Sequence, residues 1–229
     1  MQPGDADLER TVLSAAEAGP ALAAEWLKSL VIPRPIAWVG SQSAEGITNL
    51  APHSFFILAS SEPPILAFAS EKAPQGDKDT VNNIAATGDF TVSLVTAENH
   101  LLANRTSAEL PPEQSEFDHA GVKPLASTLV RAPGAAQSPA VMECRLLRMD
   151  PIGSATMVYG EVVCLTVRPD VLTSDLRGRL LPDPRLIRPV ARLGRNEWAH
   201  LGRSFRSTGP GRPRRAERTL DSNPQLCSH

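Results

Sequence analysis

The sequence AVMECRLLRMDPIGSATMVYGEVVCLTVR, residues 140–168, contains two runs of strand-forming residues separated by Pro151-Ile152-Gly153. Side chains alternate between the two faces of a strand, so apolar residues at every second position mark one buried face. The first run, 140–149, has one such face, whereas the second run, 156–168, is apolar on both faces. A strand of the second kind needs cover on both sides, by a barrel interior and by a helix or a partner subunit.

Shorter apolar runs on the N-terminal side of this stretch also predict strands, with polar, proline or glycine turns between them. They are residues 36–40, 47–50, 55–60, 65–69 and 90–95. Helical spacing predicts helices over 79–88, 97–109 and 113–120, while 125–130 is ambiguous. Seven or eight short strands with few helices, and no regular alternation of the two, favour an antiparallel barrel or sandwich.

The two ends of the chain differ from this central part. Residues 4–29 have helical apolar spacing with a break at Gly19-Pro20, and we expect a helical arm over residues 1–30. Residues 203–229 are rich in Gly, Pro and Arg without apolar periodicity, and we expect a disordered basic tail. Residues 31–202 are therefore the predicted globular domain.

Composition and charge exclude several classes of protein. The 229 residues carry a net charge of −2, but six arginines and two acids give residues 203–229 a charge of +4, which leaves −6 for the rest. An acidic body argues against a nucleic-acid-binding surface. No apolar run approaches the ~18 residues of a membrane span, and the first residues lack a secretory signal. We expect a soluble, cytoplasmic protein whose three cysteines are reduced.

Motifs for catalysis by side chains are missing from the sequence. There is no Gly-x-Ser-x-Gly elbow, no phosphate-binding Walker loop and no histidine pair with metal-ligand spacing. We therefore expect no catalytic acid, base or nucleophile and no metal site. Such a sequence is typical of an enzyme whose cofactor supplies the reactive atoms.

The segment KDTVNNI, residues 78–84, places a cation and a hydroxyl at a predicted helix start that Asp79 or Thr80 can cap. A helix N-terminus has free N–H groups and a partial positive charge, which suit a phosphate. Lys78 would add a point charge and Thr80 a hydroxyl donor. The alternative interpretation is a capped surface helix with a solvated lysine.

The segment NLAPHSFF, residues 49–56, follows a predicted hairpin turn. Small Ala51 and Ser54 beside Asn49 would let a planar ring approach the backbone. The alternative is an ordinary loop that enters a strand. His53, taken alone, is more typical of a surface or packing histidine than of a catalyst.

Taken together, these segments resemble the flavin reductase-like family of FMN-binding split barrels. The resemblance covers roughly residues 25–205 and rests on seven strings in family order: PRPIAWV (33–39), TNLAPHSFF (48–56), SSEPP (60–64), KDTVNNI (78–84), SPAVMEC (138–144), YGEVV (159–163) and LIRPVARLG (186–194). It implies a mainly β, antiparallel Greek-key split barrel with a few short peripheral helices, assembled as a homodimer with FMN near the interface.

The resemblance also implies the residues of the cofactor site. The loop from Asn49 to Phe55 would line the isoalloxazine ring and the ribityl chain, with Trp38 close to the ring. The residues at the ribityl and phosphate end would be Ser70, Lys78, Asp79, Thr80 and Asn83. The full set of implied FMN-binding residues is Trp38, Asn49, Ala51, Ser54, Phe55, Ser70, Lys78, Asp79, Thr80 and Asn83.

The implied function is that of an oxidoreductase that transfers a hydride from NAD(P)H to the flavin, with reduced flavin supplied to a partner monooxygenase. The alternative is a non-enzymatic FMN-binding protein for electron transfer or redox sensing. The chain departs from the family pattern at His53, where Phe or Tyr is usual, at Arg195, where a second Gly is frequent, and at Trp198, where Tyr is frequent.

Overall fold

The computed structural model describes residues 10–202 of the chain. The expected basic tail, and the part of the expected N-terminal arm that precedes residue 10, lie outside the described residues. Within residues 10–202, the longest helix has 16 residues, and none has the combination of length and apolar character needed to cross a membrane.

One seven-stranded antiparallel sheet forms the body of the fold. Its strands are β1 (Ala37–Gln42), β2 (Thr48–His53), β3 (Phe55–Ser61), β4 (Pro64–Glu71), β5 (Asp89–Leu94), β6 (Ala140–Ile152) and β7 (Ala155–Val167). Across the sheet their order is β2-β1-β5-β6-β7-β4-β3. The two edge strands, β2 and β3, are thus consecutive in sequence.

This order forces the sheet to curl. Only Ser54 separates the last residue of β2 from the first residue of β3, so the two edges of the sheet must meet at this residue. No ladder joins β2 to β3 in the described chain, and the barrel therefore stays split along this line. The prediction of a mainly β, antiparallel split barrel with few short helices is confirmed.

The long hairpin of β6 and β7 is the stretch from which the fold was predicted. The predicted break at 151–153 is wrong in position, because β6 continues through Pro151 and Ile152, which pair with Thr156 and Ala155. The turn lies at Gly153 and Ser154. Proline is tolerated near the end of the strand because a missing N–H costs little there.

Two apolar clusters fill the described fold, one on each side of β1. The barrel interior contains Val39, Phe68, Phe90 and Val158 and is closed by α2 (Asp79–Thr87). A carbon added as Cβ at Gly160 would lie 2.3 Å from the Phe90 ring, so this strand position requires glycine.

The second cluster lies on the outer face of β1 and β2. It contains Trp38, Leu50 and Phe117 and is covered by α3 (His100–Arg105) and α4 (Glu116–Ala120). Because adjacent residues of a strand point to opposite faces, Trp38 and Val39 belong to different clusters.

The helices are shorter than predicted. Helix α1 (Ala15–Leu30) begins at residue 15 rather than 4, residues 10–14 are not helical, and the expected break at Gly19-Pro20 is present. Helix α3 begins at residue 100 rather than 97, because the Asn99 side chain closes a turn by accepting from the Thr96 N–H at 2.7 Å. Helix α2 ends at the predicted left-handed Gly88, with φ of 76°.

Small elements complete the described chain. Arg34–Pro35, Val190–Arg192 and Trp198–His200 form a three-stranded sheet beside α1. Two further ribbons pair Pro124–Leu125 with Gly134–Ala135 and Leu172–Ser174 with Leu180–Pro182. The remaining helical turns are a 3₁₀ turn, Pro169–Val171, and α5 (Pro184–Ile187).

Candidate functional site

A cavity of about 470 Å³ lies at the split between β2 and β3. Its volume is within the ~300–1,000 Å³ typical of small-molecule sites. Its wall is formed by β2, the start of β3, the end of β4, the loop 73–78, the start of α2, the segment 106–112 after α3, and the first residue of α4. The site thus occupies the place where the topology leaves the barrel open.

Eight of the ten residues predicted for cofactor binding line this cavity. They are Asn49, Ala51, Ser54, Phe55, Ser70, Lys78, Asp79 and Thr80. The structure therefore brings together segments that are up to 31 positions apart in sequence, between Asn49 and Thr80.

Trp38 and Asn83 do not line the cavity. Trp38 is fully buried in the cluster on the outer face of β1 and β2, and its indole N–H donates to the Thr106 hydroxyl at 2.9 Å. Thr106 does line the cavity, so Trp38 supports the wall from behind. Asn83 lies one turn inside α2 and donates to the Ser41 hydroxyl at 3.3 Å.

The start of α2 differs from the prediction. The N-cap residue is Lys78, not Asp79 or Thr80, and no side chain caps the helix. Thr80 is 1% exposed, and its hydroxyl donates to Asn49 Oδ1 at 3.0 Å, so this hydroxyl is already used inside the protein. The helix consequently presents its first backbone N–H groups and the Lys78 ammonium to the cavity, an arrangement that suits an anion.

A buried polar network holds α2 and α4 against the edge strand. Asn49 Oδ1 accepts from Ser41 and Thr80, and Asn49 Nδ2 donates to Glu116 Oε2 at 2.9 Å. The same Glu116 oxygen accepts from the Leu50 N–H at 3.2 Å. These hydrogen bonds hold the Asn49 side chain in one orientation, and the Asn49 amide forms part of the cavity floor.

Glu116 is a site residue that the sequence does not reveal. An acid in the first turn of a short helix is ordinary, and only the tertiary structure brings residue 116 to residue 49. Burial, and more weakly the nearby Asp79 carboxylate, raises the pKa of Glu116, although its backbone and Asn49 hydrogen bonds oppose this. The segment 106–110 is a second part of the wall without a recognisable sequence signal.

Two buried polar atoms at the cavity have no hydrogen-bond partner among the described residues. They are Ser70 Oγ, on a residue 2% exposed, and His53 Nε2, on a residue 8% exposed. Burial first, and then the Lys78 charge, lowers the pKa of His53 from 6.5 to about 4, against the effect of the Ala69 backbone. His53 is therefore a neutral imidazole at pH 7, packed with its ring centroid 4.8 Å from that of Phe68.

The charges around the cavity are unequal. Lys78 is the single cation among the lining residues, and the lining carboxylates are Glu71, Asp77, Asp79, Glu109 and Glu116. An anionic group is therefore accommodated at the start of α2, while the remaining wall suits a ligand portion that is neutral and carries hydroxyl donors.

Catalytic groups of the usual kinds do not assemble within residues 10–202. No cluster of three or more His, Cys, Asp or Glu side chains there could hold a metal ion. His53 is the single histidine among the lining residues, and Cys144 is buried with its pKa raised to about 12, chiefly by burial. The geometry is that of a binding cavity.

Comparison with known proteins gives a consistent result. Residues 29–181 match the model of the family described as flavin reductase like domain. A curated relative from Aquifex aeolicus is 36% identical over 166 residues, which are 72% of this chain and 83% of the relative.

Two solved structures show the similarity in three dimensions. The nitrilotriacetate monooxygenase component B from Bacillus cereus has a TM-score of 0.81 and 28% identity, over 87% of this chain and 99% of that one. A Shewanella frigidimarina protein with a split barrel domain has a TM-score of 0.73 and 24% identity, over 84% and 94% of the two chains.

Proposed function

The chain belongs to the flavin reductase like domain family, and on that premise we propose that it binds FMN in the cavity at the split. We propose further that it is an oxidoreductase of the flavin reductase type that uses NAD(P)H. The observation that carries this proposal is the uncapped start of α2, where Lys78 and free N–H groups face a cavity of about 470 Å³.

The residues present fit a flavin mononucleotide. Its phosphate would lie at the start of α2, where the backbone N–H groups and Lys78 offset its charge. Its ribityl hydroxyls could donate to the lining carboxylates and satisfy the buried Ser70 hydroxyl. Its ring would lie against Ala51, Ser54 and Phe55, which offer small or apolar surface at the split.

A bound flavin would supply the redox chemistry, by taking up a hydride from the reduced nicotinamide at N5 and passing electrons to an acceptor. The chain's own residues would bind and orient. The network of Asn49, Thr80 and Glu116 fixes the cavity floor, and segment 106–112, of which Thr106 is buried, forms part of the wall. Orientation of this kind lowers a barrier without a catalytic acid or base.

A steady-state assay of NADH and NADPH oxidation with added FMN tests the enzymatic part of the proposal. Turnover that depends on the protein and saturates with the nucleotide is expected. A protein that binds FMN tightly yet oxidises neither nucleotide would instead be the electron carrier or redox sensor that the sequence left as the alternative.

We also propose a class of protein as the physiological electron acceptor. The Bacillus cereus protein is, by its name, one component of a monooxygenase, and we propose that this chain likewise supplies reduced flavin to a partner oxygenase. An assay that couples nucleotide oxidation to a purified oxygenase component would show the transfer as product formation.

We also propose a homodimer. No residue of α1 is buried, and Leu27 and Leu30 of this helix are 60% and 70% exposed. On β7, Val158 is buried, whereas Leu165 is 65% exposed and Met157 and Tyr159 are half-buried. A second copy of the chain would cover such apolar surface, because isologous interfaces bury the same patch on both subunits.

A further inference from the structure

A second pocket, of about 310 Å³, adjoins the cavity at the split. The two share three lining residues, Ser54, Phe55 and Glu71. The second pocket lies between the end of α1, the strand Arg34–Pro35 and the turn that follows the strand Val190–Arg192. A molecule bound in the first cavity against Phe55 would therefore be next to whatever occupies the second.

The second pocket is basic although the domain is acidic. Its charged lining residues are Lys28, Arg34, Arg192, Arg195, Glu25 and Glu71, a net charge of +2. The first cavity has a single lining cation and five carboxylates. The first cavity therefore has an excess of negative charge, and the second pocket, which shares Glu71 with it, has an excess of positive charge.

Two of the arginines form a pair of like charges. Arg34 and Arg192 are directly opposite in an antiparallel ladder, so their side chains leave the same face of the sheet. Burial, and then the Arg34 charge, lowers the pKa of Arg192. Arg34 itself is 7% exposed and donates to the backbone carbonyls of Lys28, Val31 and Leu193. It therefore contributes charge to the pocket from a fixed position.

The carboxylates nearby do not neutralise these arginines. Within residues 10–202, no carboxylate lies within 4.0 Å of Arg34, Arg192 or Arg195, whereas Glu25 and Glu71 lie 4.0 and 3.9 Å from Lys28. The Arg34 Nε atom is buried and has no hydrogen-bond partner among those residues. Arg192 donates to the Asn196 side-chain oxygen at 2.6 Å, which is a neutral partner. Like charges without carboxylate partners at a pocket are typical of a site that receives an anion.

Arg195 adds an observation from the backbone. Its φ is 52°, in the left-handed region that glycine adopts without strain and other residues rarely occupy. The side chain at this strained position is a cation at the edge of the pocket, and it has no hydrogen-bond or ion-pair partner among the described residues. Arg195 and Asn196, whose φ is 62°, are the two central residues of the tight turn from Gly194 to Glu197, and this turn holds the Arg195 side chain at the pocket.

We propose that this second pocket binds the oxyanion group of the molecule that exchanges electrons with the flavin, with Arg195 and Lys28 as the contacting cations and Arg34 and Arg192 behind them. The proposal rests on the proposed function, because it assumes a flavin in the first cavity. The oxyanion is the phosphate of a dinucleotide donor or the carboxylate of an organic acceptor, since both offer oxygens that a guanidinium can bind in pairs.

The test is a calorimetric titration of FMN-saturated protein at low ionic strength, with pyrophosphate and with succinate as separate probes. Arg195→Gln removes the charge, and Arg195→Gly removes it at a backbone position that glycine adopts without strain, so we expect the glycine variant to fold. Arg177→Gln is the matched control, since Arg177 is exposed in a turn and lines neither the cavity nor the second pocket. Each Arg195 variant is expected to weaken binding of the recognised probe about 10- to 100-fold.

The probe that binds identifies the source of the oxyanion. Binding of pyrophosphate that depends on Arg195 indicates a dinucleotide, for which Arg195→Gln should also raise the KM for the nucleotide with kcat nearly unchanged. Binding of succinate with the same dependence indicates a carboxylate-bearing acceptor. The proposal is overturned if neither probe binds, or if binding is the same in the Arg195 variants and in Arg177→Gln.

The experiment distinguishes failure of the oxyanion pocket from failure of the proposed flavin binding. The same titrations without FMN show whether the pocket binds oxyanions independently of the flavin. A chain that does not bind FMN but binds pyrophosphate through Arg195 would contradict the flavin proposal alone. A chain that binds FMN and neither probe would contradict the oxyanion pocket alone.

Discussion

Lys78 is the residue on which anion binding at the cavity depends most directly. It is the N-cap of α2 and the single cation among the residues that line the cavity. Its sequence position could be predicted from the string KDTVNNI, but the role of Thr80 could not. The Thr80 hydroxyl is turned inward to Asn49, because the strand that carries Asn49 packs against the first turn of the helix.

Replacement of Lys78 by alanine should weaken FMN binding about 10- to 150-fold, because one charge-assisted hydrogen bond contributes roughly 1.5–3 kcal/mol. Titration of the apoprotein with FMN, followed by the quenching of flavin fluorescence, measures this change. Lys123→Ala is the control, because Lys123 is exposed and does not line the cavity. Equal affinities for the two variants would place the phosphate elsewhere.

His53 predicts a pH dependence of stability. Its pKa is about 4 in the folded chain and 6.5 ordinarily. Between these pH values His53 is therefore protonated in the unfolded chain and neutral in the folded chain. Stability should therefore decrease as pH falls from 6.5 to 4, by about 3 kcal/mol in total.

His53→Phe should remove this part of the pH dependence, since phenylalanine cannot titrate and can still pack against Phe68. Urea unfolding at several pH values between 4 and 7 measures it. His119→Asn, at an exposed histidine of α4, should leave the dependence as in the wild type. If the free energy of unfolding of His53→Phe changed with pH as in the wild type, His53 would not be buried in its neutral form.

At the level of elements, the polar network explains how short helices are positioned. Helix α4 has five residues, too few to be stable by itself, and Glu116 ties it to the edge strand β2. The sequence predicted helical structure over 113–120 from its spacing. It could not predict that the Glu116 carboxylate would pair with residues 49 and 50, because no local pattern encodes a contact 67 positions away.

Glu116→Ala should lower the free energy of unfolding by about 2–4 kcal/mol, because the Leu50 N–H and one Asn49 N–H lose their acceptor in a buried site. It should also weaken FMN binding, since the cavity floor is no longer fixed. Glu116→Gln keeps an acceptor oxygen and should recover most of the stability, which urea unfolding of both variants would show. Equal losses in the two variants would contradict the role of the acceptor.

The long hairpin shows why strand patterns predicted the fold while helix boundaries were less accurate. Alternation over 140–149 and 156–168 is a repeated signal, and β6 and β7 contain both runs. The start of α3, in contrast, depends on the single side chain of Asn99, which also donates to the Leu94 and Gln137 carbonyls. A helix terminus that is set by tertiary contacts of this kind cannot be predicted from the spacing of apolar residues nearby in the sequence.

At the level of the whole molecule, the split follows from the connection between β2 and β3. The sequence predicted both strands and their nearness in the chain, but not that they occupy opposite edges of the sheet. That placement depends on the pairing of all seven strands. It is also what makes a cavity at Ser54, where residues from seven parts of the chain meet.

The assembly can be tested on the apolar surface of β7. Light scattering at micromolar protein should give about twice the chain mass of 24.5 kDa. Leu165→Lys should shift the protein towards the monomer, because it places a charge in surface that the second copy would cover. Leu176→Lys, at a leucine fully exposed in a turn, is the control and should remain dimeric. A monomeric wild type would contradict the homodimer.

Flavin binding at the split is tested most directly by one measurement: the visible absorbance spectrum of the protein after saturation with FMN, gel filtration and anaerobic titration with NADH or NADPH. The expected result is one FMN retained per chain, with its absorbance bleached by one of the nucleotides, and retention reduced in Lys78→Ala. A folded wild-type chain that emerges from gel filtration without flavin would contradict the proposal.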